Sequence, residues 1–103
     1  METNIRSLES IRHLLNAEID TLKSKYHITY IGIFGSYARN EQKSSSDVDI
    51  LVDFDPEFYP GYLDFLLLKD NLEDMLGAKV DLITKSSLRK RIGKQILEEA
   101  IAL

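Results

Sequence analysis

Three aspartates and a Gly-Ser pair are the residues of this 103-residue chain whose types and spacing suggest chemistry. Asp47 and Asp49 lie two positions apart in an alternating apolar segment, and Asp81 lies in a second short apolar segment. Side chains two apart on a strand project from one face, about 6–7 Å apart, where carboxylates repel each other unless a cation intervenes. Gly35-Ser36 ends an earlier apolar segment, and N–H groups at a helix start favour phosphate. This pattern predicts magnesium-assisted nucleotide transfer from a nucleoside triphosphate, because Mg²⁺ binds carboxylates together with substrate phosphates.

Each of the three acids has an ordinary structural interpretation when it is taken alone. Asp47 could cap a turn, and Asp49 could be an exposed strand residue, although aspartate is disfavoured in strand interiors. Asp81 could be a strand-end acid that pairs with Lys79 or Lys85. The combination, rather than any one acid, favours a metal site.

Positive and aromatic residues near these segments have two interpretations each. Arg39, one helical turn after the Gly-Ser pair, could reach a phosphate or be a surface charge. Tyr59 and Tyr62 flank a Pro-Gly turn and could line an acceptor or base pocket or simply pack. A cluster of five positive charges is better explained as a solvated helix face than as a triphosphate or partner contact; its members are Lys85, Arg89, Lys90, Arg91 and Lys94.

The composition indicates a single globular domain over residues 1–103, with an N-terminal helix in 1–26 and a core in 28–103. Hydrophobic residues make up 44% and charged residues 29%, which is ordinary for a soluble protein. No apolar run approaches the ~20 residues of a membrane span, and the N-terminus lacks a signal-peptide pattern. With no cysteine in the chain, we expect a cytoplasmic protein. A net charge of −4 argues against nucleic acid as the main partner.

Periodicity and turn residues predict an α/β fold with the order α-β-α-β-α-β-α. We expect a mixed sheet of three or slightly more strands flanked by about four helices. The third helix is long enough for a parallel crossover between strands 2 and 3, whereas the relative direction of strands 1 and 2 stays open. The predicted helices are 4–25, about 36–40, 62–76 and a last one from Ser86 or Ser87 to about Ala102; the predicted strands are 28–34, 47–54 and 79–84.

Three sequence motifs resemble the DNA polymerase β-type nucleotidyltransferase superfamily, and most closely its minimal nucleotidyltransferases. The first is Gly35-Ser36-Tyr37-Ala38-Arg39, the second runs from Ser46 to Phe54 as SDVDILVDF, and the third is Val80-Asp81-Leu82-Ile83-Thr84. The resemblance covers roughly residues 28–103. One departure is Asn40, where these proteins often carry glycine, although asparagine tolerates a left-handed conformation fairly well.

The resemblance implies the role of each site residue. Asp47, Asp49 and Asp81 would be the catalytic acids and the ligands of two Mg²⁺ ions, with Asp81 also accepting the proton of the attacking hydroxyl. Gly35, Ser36 and Arg39 would bind the phosphates of the nucleotide, ATP. Pyrophosphate would leave as a nucleoside monophosphate is transferred.

The resemblance also implies a partner, because minimal nucleotidyltransferases are similar to antitoxins paired with helical HEPN-family ribonuclease toxins. The leading hypothesis is transfer of AMP to a hydroxyl, of tyrosine in particular, on such a toxin. Two alternatives stay open: neutralisation of the partner by binding alone, and nucleotidyl transfer to a small molecule or an RNA end.

Overall fold

Helices and strands alternate along the chain and build an α/β structure around one four-stranded mixed sheet. The computed structural model describes residues 7–43, 45–88 and 90–103. The helices are α1 (Leu8–Tyr26), α2 (Gly35–Ala38), α3 (Tyr62–Leu76) and α4 (Lys90–Glu99), and the strands are β1 (Ile28–Phe34), β2 (Val48–Phe54), β3 (Val80–Thr84) and β4 (Ile101–Ala102). Short 3₁₀ turns occupy Pro56–Phe58 and Lys85–Ser87. The predicted fold class is therefore confirmed.

The strand order in the sheet is β3-β2-β1-β4. β2 and β3 are parallel, as predicted, because the α3 crossover returns the chain to the end of the sheet where β2 began. β1 and β2 are antiparallel, which settles the direction that the sequence left open. The carboxyl end of β1 and the amino ends of β2 and β3 consequently lie at the same end of the sheet.

The main hydrophobic core lies between one face of the sheet and helices α1 and α3. Ser7 caps the start of α1 by accepting a hydrogen bond from the Ser10 N–H at 3.0 Å. Gly77 ends α3 in the left-handed region at φ 63°, as the sequence predicted. The buried core includes Ile11, Leu15, Ile31, Ile33, Val48, Ile50, Val52, Leu68 and Leu72. Phe34 and Leu51 are buried outside this cluster, so the second face of the sheet is also covered at its centre.

The last helix was predicted wrongly at both ends. A 3₁₀ turn holds Lys85–Ser87, α4 ends at Glu99, and Ile101–Ala102 forms a fourth strand along β1. Gly32 permits this pairing, since a β-carbon there would lie 3.1 Å from the carbonyl oxygen of Ile101 and 2.7 Å from the Tyr30 hydroxyl. The Leu103 N–H then donates to the Ile31 carbonyl at 3.0 Å, so a β1 edge that would otherwise be open is paired.

Parts of the predicted first helix and of the predicted basic cluster lie outside the described residues. These are positions 4–6, Arg89 and the side chains of Lys90 and Arg91. Within the described residues, Lys85 places its ammonium group 3.8 Å from the centre of the Tyr30 ring. No helix of the described part of the chain is both long and apolar enough to cross a membrane.

Candidate active site

Strand pairing brings two of the three predicted acids side by side. Asp49 of β2 lies opposite Asp81 of the parallel neighbour β3 and opposite Phe34 of the antiparallel neighbour β1. Asp47 directly precedes β2 rather than lying within it. Because the next residue, Val48, donates its N–H to the Lys79 carbonyl at 2.8 Å, Asp47 is held at the start of the β2–β3 pair. All three acids thus lie at the end of the sheet where β1 delivers Gly35.

The backbone of Gly35 lies directly against the carboxylate of Asp49. A β-carbon at position 35 would lie 2.0 Å from Oδ2 and 2.9 Å from Cγ of Asp49, and Gly35 has a φ of +73°. Any other residue would therefore clash with the acid and strain the backbone. Glycine here is what allows the turn after β1 to approach the acid on β2.

The acids influence one another electrostatically. The pKa of Asp49 is raised from 3.8 to about 6, first by partial burial and then by the negative charges of Asp81 and Asp47, while Arg39 acts in the opposite direction. Asp47 and Asp81 are exposed, whereas Asp49 is half-buried. The site is therefore a solvent-accessible cluster of negative charge, and its central carboxylate, Asp49, is the one with the raised pKa.

The donor set fits a hard cation such as Mg²⁺. The described residues contain no group of three His, Cys, Asp or Glu side chains already arranged around a metal position. Repulsion between uncompensated carboxylates favours such an open arrangement. Mg²⁺ needs only one or two protein carboxylates and takes its remaining ligands from water and substrate phosphates. Burial is the first cause of the raised pKa of Asp49, and a cation among these acids would relieve the second cause, repulsion by Asp81 and Asp47.

The short helix α2 begins directly at Gly35, and no side chain caps its start. Its first N–H groups have no acceptor within the helix. The turn closes where the Arg39 N–H donates to the Gly35 carbonyl at 3.1 Å and the Glu41 N–H donates to the Ser36 carbonyl at 2.8 Å. Asn40 adopts the left-handed conformation at φ +58°, which asparagine takes up more readily than most other residues with a side chain.

Arg39 lies beside the acids, but its guanidinium group is engaged by two glutamates. Nε donates to Glu41 and Nη1 donates to Glu99, both at 2.9 Å. These partners, Glu41 foremost, raise the pKa of Arg39 above its ordinary value. The Glu99 bond ties the turn after β1 to the end of α4. A role for Arg39 in phosphate binding therefore stays a prediction, and it requires at least one of these bonds to open.

Glu73 contributes to the site although sequence reasoning did not identify it. Its Oε2 accepts the backbone N–H of Val80 at 3.0 Å and the ammonium group of Lys69 at 3.1 Å. These two bonds, in that order, lower the pKa of Glu73. Because Val80 immediately precedes Asp81, Glu73 fixes the start of β3 and so the position of that acid. The four-residue spacing of Lys69 and Glu73 on α3 was the available signal.

Several residues flagged in the sequence lie elsewhere. Tyr59 bonds Ser86 through their hydroxyl groups at 2.6 Å, and the Tyr62 side chain is 77% exposed. Both follow the carboxyl end of β2, so they lie at the opposite end of the sheet from the acids. Among the residues that the structure describes, neither Lys79 nor Lys85 forms an ion pair with Asp81.

Comparisons with known proteins identify the family to which this chain is similar. The model of the nucleotidyltransferase domain family matches residues 16–103. A Thermococcus cleftensis protein named protein adenylyltransferase MntA is 46% identical over 95 residues, which cover 92% of this chain and 94% of that protein. A Methanocaldococcus jannaschii protein named as a candidate protein adenylyltransferase is 44% identical over 95 residues, which cover 92% and 95% of the two chains.

Solved structures show the same fold. A candidate minimal nucleotidyltransferase superposes with a TM-score of 0.81 at 36% identity, covering 95% of this chain and 97% of the other. A complex of the tri-AMPylated Shewanella oneidensis HEPN toxin with an MNT antitoxin gives a TM-score of 0.64 at 21% identity, covering 89% and 70%; this second likeness concerns the fold alone. With the family match over most of its length, this chain belongs to the nucleotidyltransferase domain family and is one of the minimal nucleotidyltransferases.

Proposed function

We propose that this protein transfers AMP from ATP, with Mg²⁺, to a tyrosine hydroxyl of a helical HEPN-family toxin in the cytoplasm and so acts as its antitoxin. The observation that carries the proposal is the register of Asp49 opposite Asp81, with the Gly35 turn packed against Asp49. This arrangement supports the proposal, because the turn that would bind phosphate lies against the central acid of the carboxylate cluster. The names of the curated relatives support a protein acceptor.

The three acids would share the work of metal binding and proton transfer. Asp47, Asp49 and Asp81 would hold Mg²⁺, which supplies charge neutralisation at the attacking and leaving oxygens when bound. Asp81 is the most accessible acid of the β2–β3 pair, so we assign it the proton of the attacking hydroxyl. Asp49 is ionised at neutral pH because its pKa of about 6 lies below 7.

The turn after β1 would bind the phosphates. The first N–H groups of α2 are available at its uncapped start, and Gly35 brings them within reach of the acids. Ser36, which follows, adds a hydroxyl. Attack by the tyrosine oxygen at the α-phosphorus breaks the bond to the β-phosphate, so AMP joins the tyrosine and pyrophosphate leaves.

Label transfer tests the proposal directly. The protein is incubated with Mg²⁺, a HEPN-family partner and ATP labelled at either the α- or the γ-phosphate. We expect label on the partner from α-labelled ATP only, and none with the Asp47→Asn/Asp49→Asn variant. Asp53→Asn is a matched control, because Asp53 lies on the same strand at the end remote from the site.

The other outcomes separate the alternatives. Label from γ-labelled ATP would mean kinase chemistry and would overturn the mechanism. No transfer, with the toxin still neutralised by both the unaltered chain and the double variant, would support neutralisation by binding alone. Transfer to a small molecule or an RNA end in the absence of a second protein would support the remaining alternative.

A further inference from the structure

A groove of about 640 Å³ lies between the end of α1 and α3, and its lining runs from the end of the sheet remote from the acids along α3 as far as Asp74. Its wall is aromatic on one side, where the rings of His27 and Phe58 stack with centroids 4.3 Å apart and Tyr59 follows. The other wall is α3, which contributes Leu67. Because β2 has seven residues, its two ends are roughly 20 Å apart, so the aromatic end of the groove, at His27 and Phe58, is remote from the carboxylate site.

The apolar side chains around this groove are unusually exposed. Of the lining residues, Phe58 is 52%, Tyr59 46% and Leu67 56% exposed. Leu63, one helical turn before Leu67 on α3, is 73% exposed. Leu63 and Leu67 lie four residues apart, and therefore on one face of α3. A bound helix would present its own apolar residues at the same spacing of three or four positions, so it could pack along this face of α3. An apolar surface of this kind marks a site of interaction.

The rim of the groove is acidic. Asp64, Asp70 and Asp74 line it along α3, against the single lysine Lys25 contributed by α1. The three aspartates are exposed, so they remain available to an incoming positive charge. The complement of this surface is an apolar stripe flanked by lysine or arginine.

We propose that this groove docks a helix of the protein partner, one with an apolar face flanked by basic residues. The proposal rests on the HEPN-family partner proposed above but not on AMP transfer. A second copy of this chain is a poorer occupant, because a symmetric contact through this surface would bring the three aspartates of both copies into one interface. The groove is separate from the carboxylate cluster, so the partner would be held by one surface while its acceptor hydroxyl reaches the other.

Binding measured without catalysis tests the proposal. The affinity of the chain for the HEPN-family partner is measured by calorimetry in the Asp49→Asn background, so AMP transfer cannot contribute. We expect Leu67→Ser to weaken binding about tenfold or more, as for a central interface residue. Asp70→Lys/Asp74→Lys should weaken it about as much and should reduce its dependence on salt.

Matched controls separate docking from folding. Leu97→Ser alters another exposed leucine, 46% exposed on α4, and Asp20→Lys reverses an exposed acid on α1; both should bind within about twofold of the parent. Every groove and control variant should have the circular dichroism spectrum and the ATP affinity of the Asp49→Asn parent.

Three results would overturn the proposal. The first is groove variants that bind as the parent does, the second is a parent chain that does not bind the partner, and the third is a dimer of this chain that the groove variants dissociate. If the parent binds through the groove but active protein transfers no label, the proposed function fails and the docking surface stands.

Discussion

Gly35 and Asp49 are in such close contact that a β-carbon on the glycine would lie 2.0 Å from the Oδ2 atom of the aspartate. The glycine belongs to the turn that would receive phosphate, and the aspartate belongs to the cluster that would receive metal. Since the backbone of Gly35 packs against the carboxylate of Asp49, the position of the turn and the position of the acid depend on each other. A side chain added at Gly35 must displace Asp49.

We expect Gly35→Ala to abolish nucleotidyl transfer, lowering it at least about a hundredfold. The new methyl group would push the Asp49 carboxylate aside, and a φ of +73° costs an L-residue about 1–2 kcal/mol. The measurement is label transfer alongside chemical denaturation. Gly61→Ala is the control, because a β-carbon there meets nothing within 4 Å; full activity in Gly35→Ala would contradict the close packing.

Asp49→Asn should stabilise the metal-free protein while it abolishes activity. The shift in the pKa of Asp49 from 3.8 to about 6 corresponds to roughly 3 kcal/mol at most, which its partial exposure reduces to about 1 kcal/mol. For a domain of this size we expect a rise in Tm of about 4–8 °C at neutral pH, measured with EDTA. Asp53→Asn, the matched variant, should leave Tm nearly unchanged.

The raised pKa of Asp49 also determines how the difference in Tm between Asp49→Asn and the unaltered protein depends on pH. Between pH 3.8 and about 6 the folded state binds more protons at Asp49 than the unfolded state does, so raising the pH destabilises the folded state. The difference in Tm between Asp49→Asn and the unaltered protein should therefore vanish below about pH 4 and be complete above about pH 6. A difference that persists at pH 3.5 would assign the effect to something other than this carboxylate.

Magnesium should stabilise the protein through the same acids. Binding to the folded state alone raises the free energy of unfolding according to the ratio of ligand concentration to Kd, so we expect millimolar Mg²⁺ with ATP to raise Tm by a few degrees. The rise should shrink as the pH falls below about 6, because protons compete for Asp49. It should be much smaller in Asp47→Asn and unchanged in Asp53→Asn. An equal rise in all three proteins would place the metal elsewhere.

Asn40 should be replaceable by glycine but not by a β-branched residue. At φ +58°, Asn40→Gly relieves the left-handed conformation and adds unfolded-state entropy, so stability should change by less than about 1 kcal/mol. Asn40→Val should cost about 1–2 kcal/mol. Urea denaturation measures both. If valine is tolerated as well as glycine, the turn must adopt another conformation in solution.

The glutamate partners of Arg39 allow a test of whether its guanidinium group binds ATP. Glu99→Gln removes one of the two carboxylates that engage it, so ATP should bind about two- to fivefold more tightly, the range of an exposed ion pair. Arg39→Ala should weaken ATP binding, and Glu98→Gln should have no effect. If neither Arg39→Ala nor Glu99→Gln alters the Kd for ATP, the predicted nucleotide-binding role of Arg39 is wrong.

Local signals in the sequence determined much of the fold. Helix α3 was predicted at about 62–76, because it follows the Pro60-Gly61 loop and Gly77 supplies the left-handed residue that ends it. The alternation from Val48 to Phe54 predicted β2 to within one residue. The direction of β1 relative to β2 was open, because a short polar connection permits either.

The features that the sequence did not predict depend on contacts between residues that are distant in the chain. Ile101 and Ala102 extend an apolar pattern that suits a helix, and only their pairing with Gly32 and Ile33 makes them a strand. Leu63 and Leu67 have the composition of a core stripe, yet they face outward. For the site, the motifs supplied the three acids and the Gly-Ser pair, whereas the anchoring role of Glu73 follows from the return of β3 to the end of α3.

The register of β2 against β3 makes the assembly of the carboxylate cluster depend on correct folding. Asp49 and Asp81 are thirty-two positions apart in sequence and meet only when these strands pair as they do here. A slip of one residue would turn Asp81 to the opposite face and expose Val80 and Leu82. With Asp81 as the third catalytic acid, as proposed, a misregistered chain would lose that acid along with its core. Turnover per molecule would then measure the fraction of correctly assembled molecules.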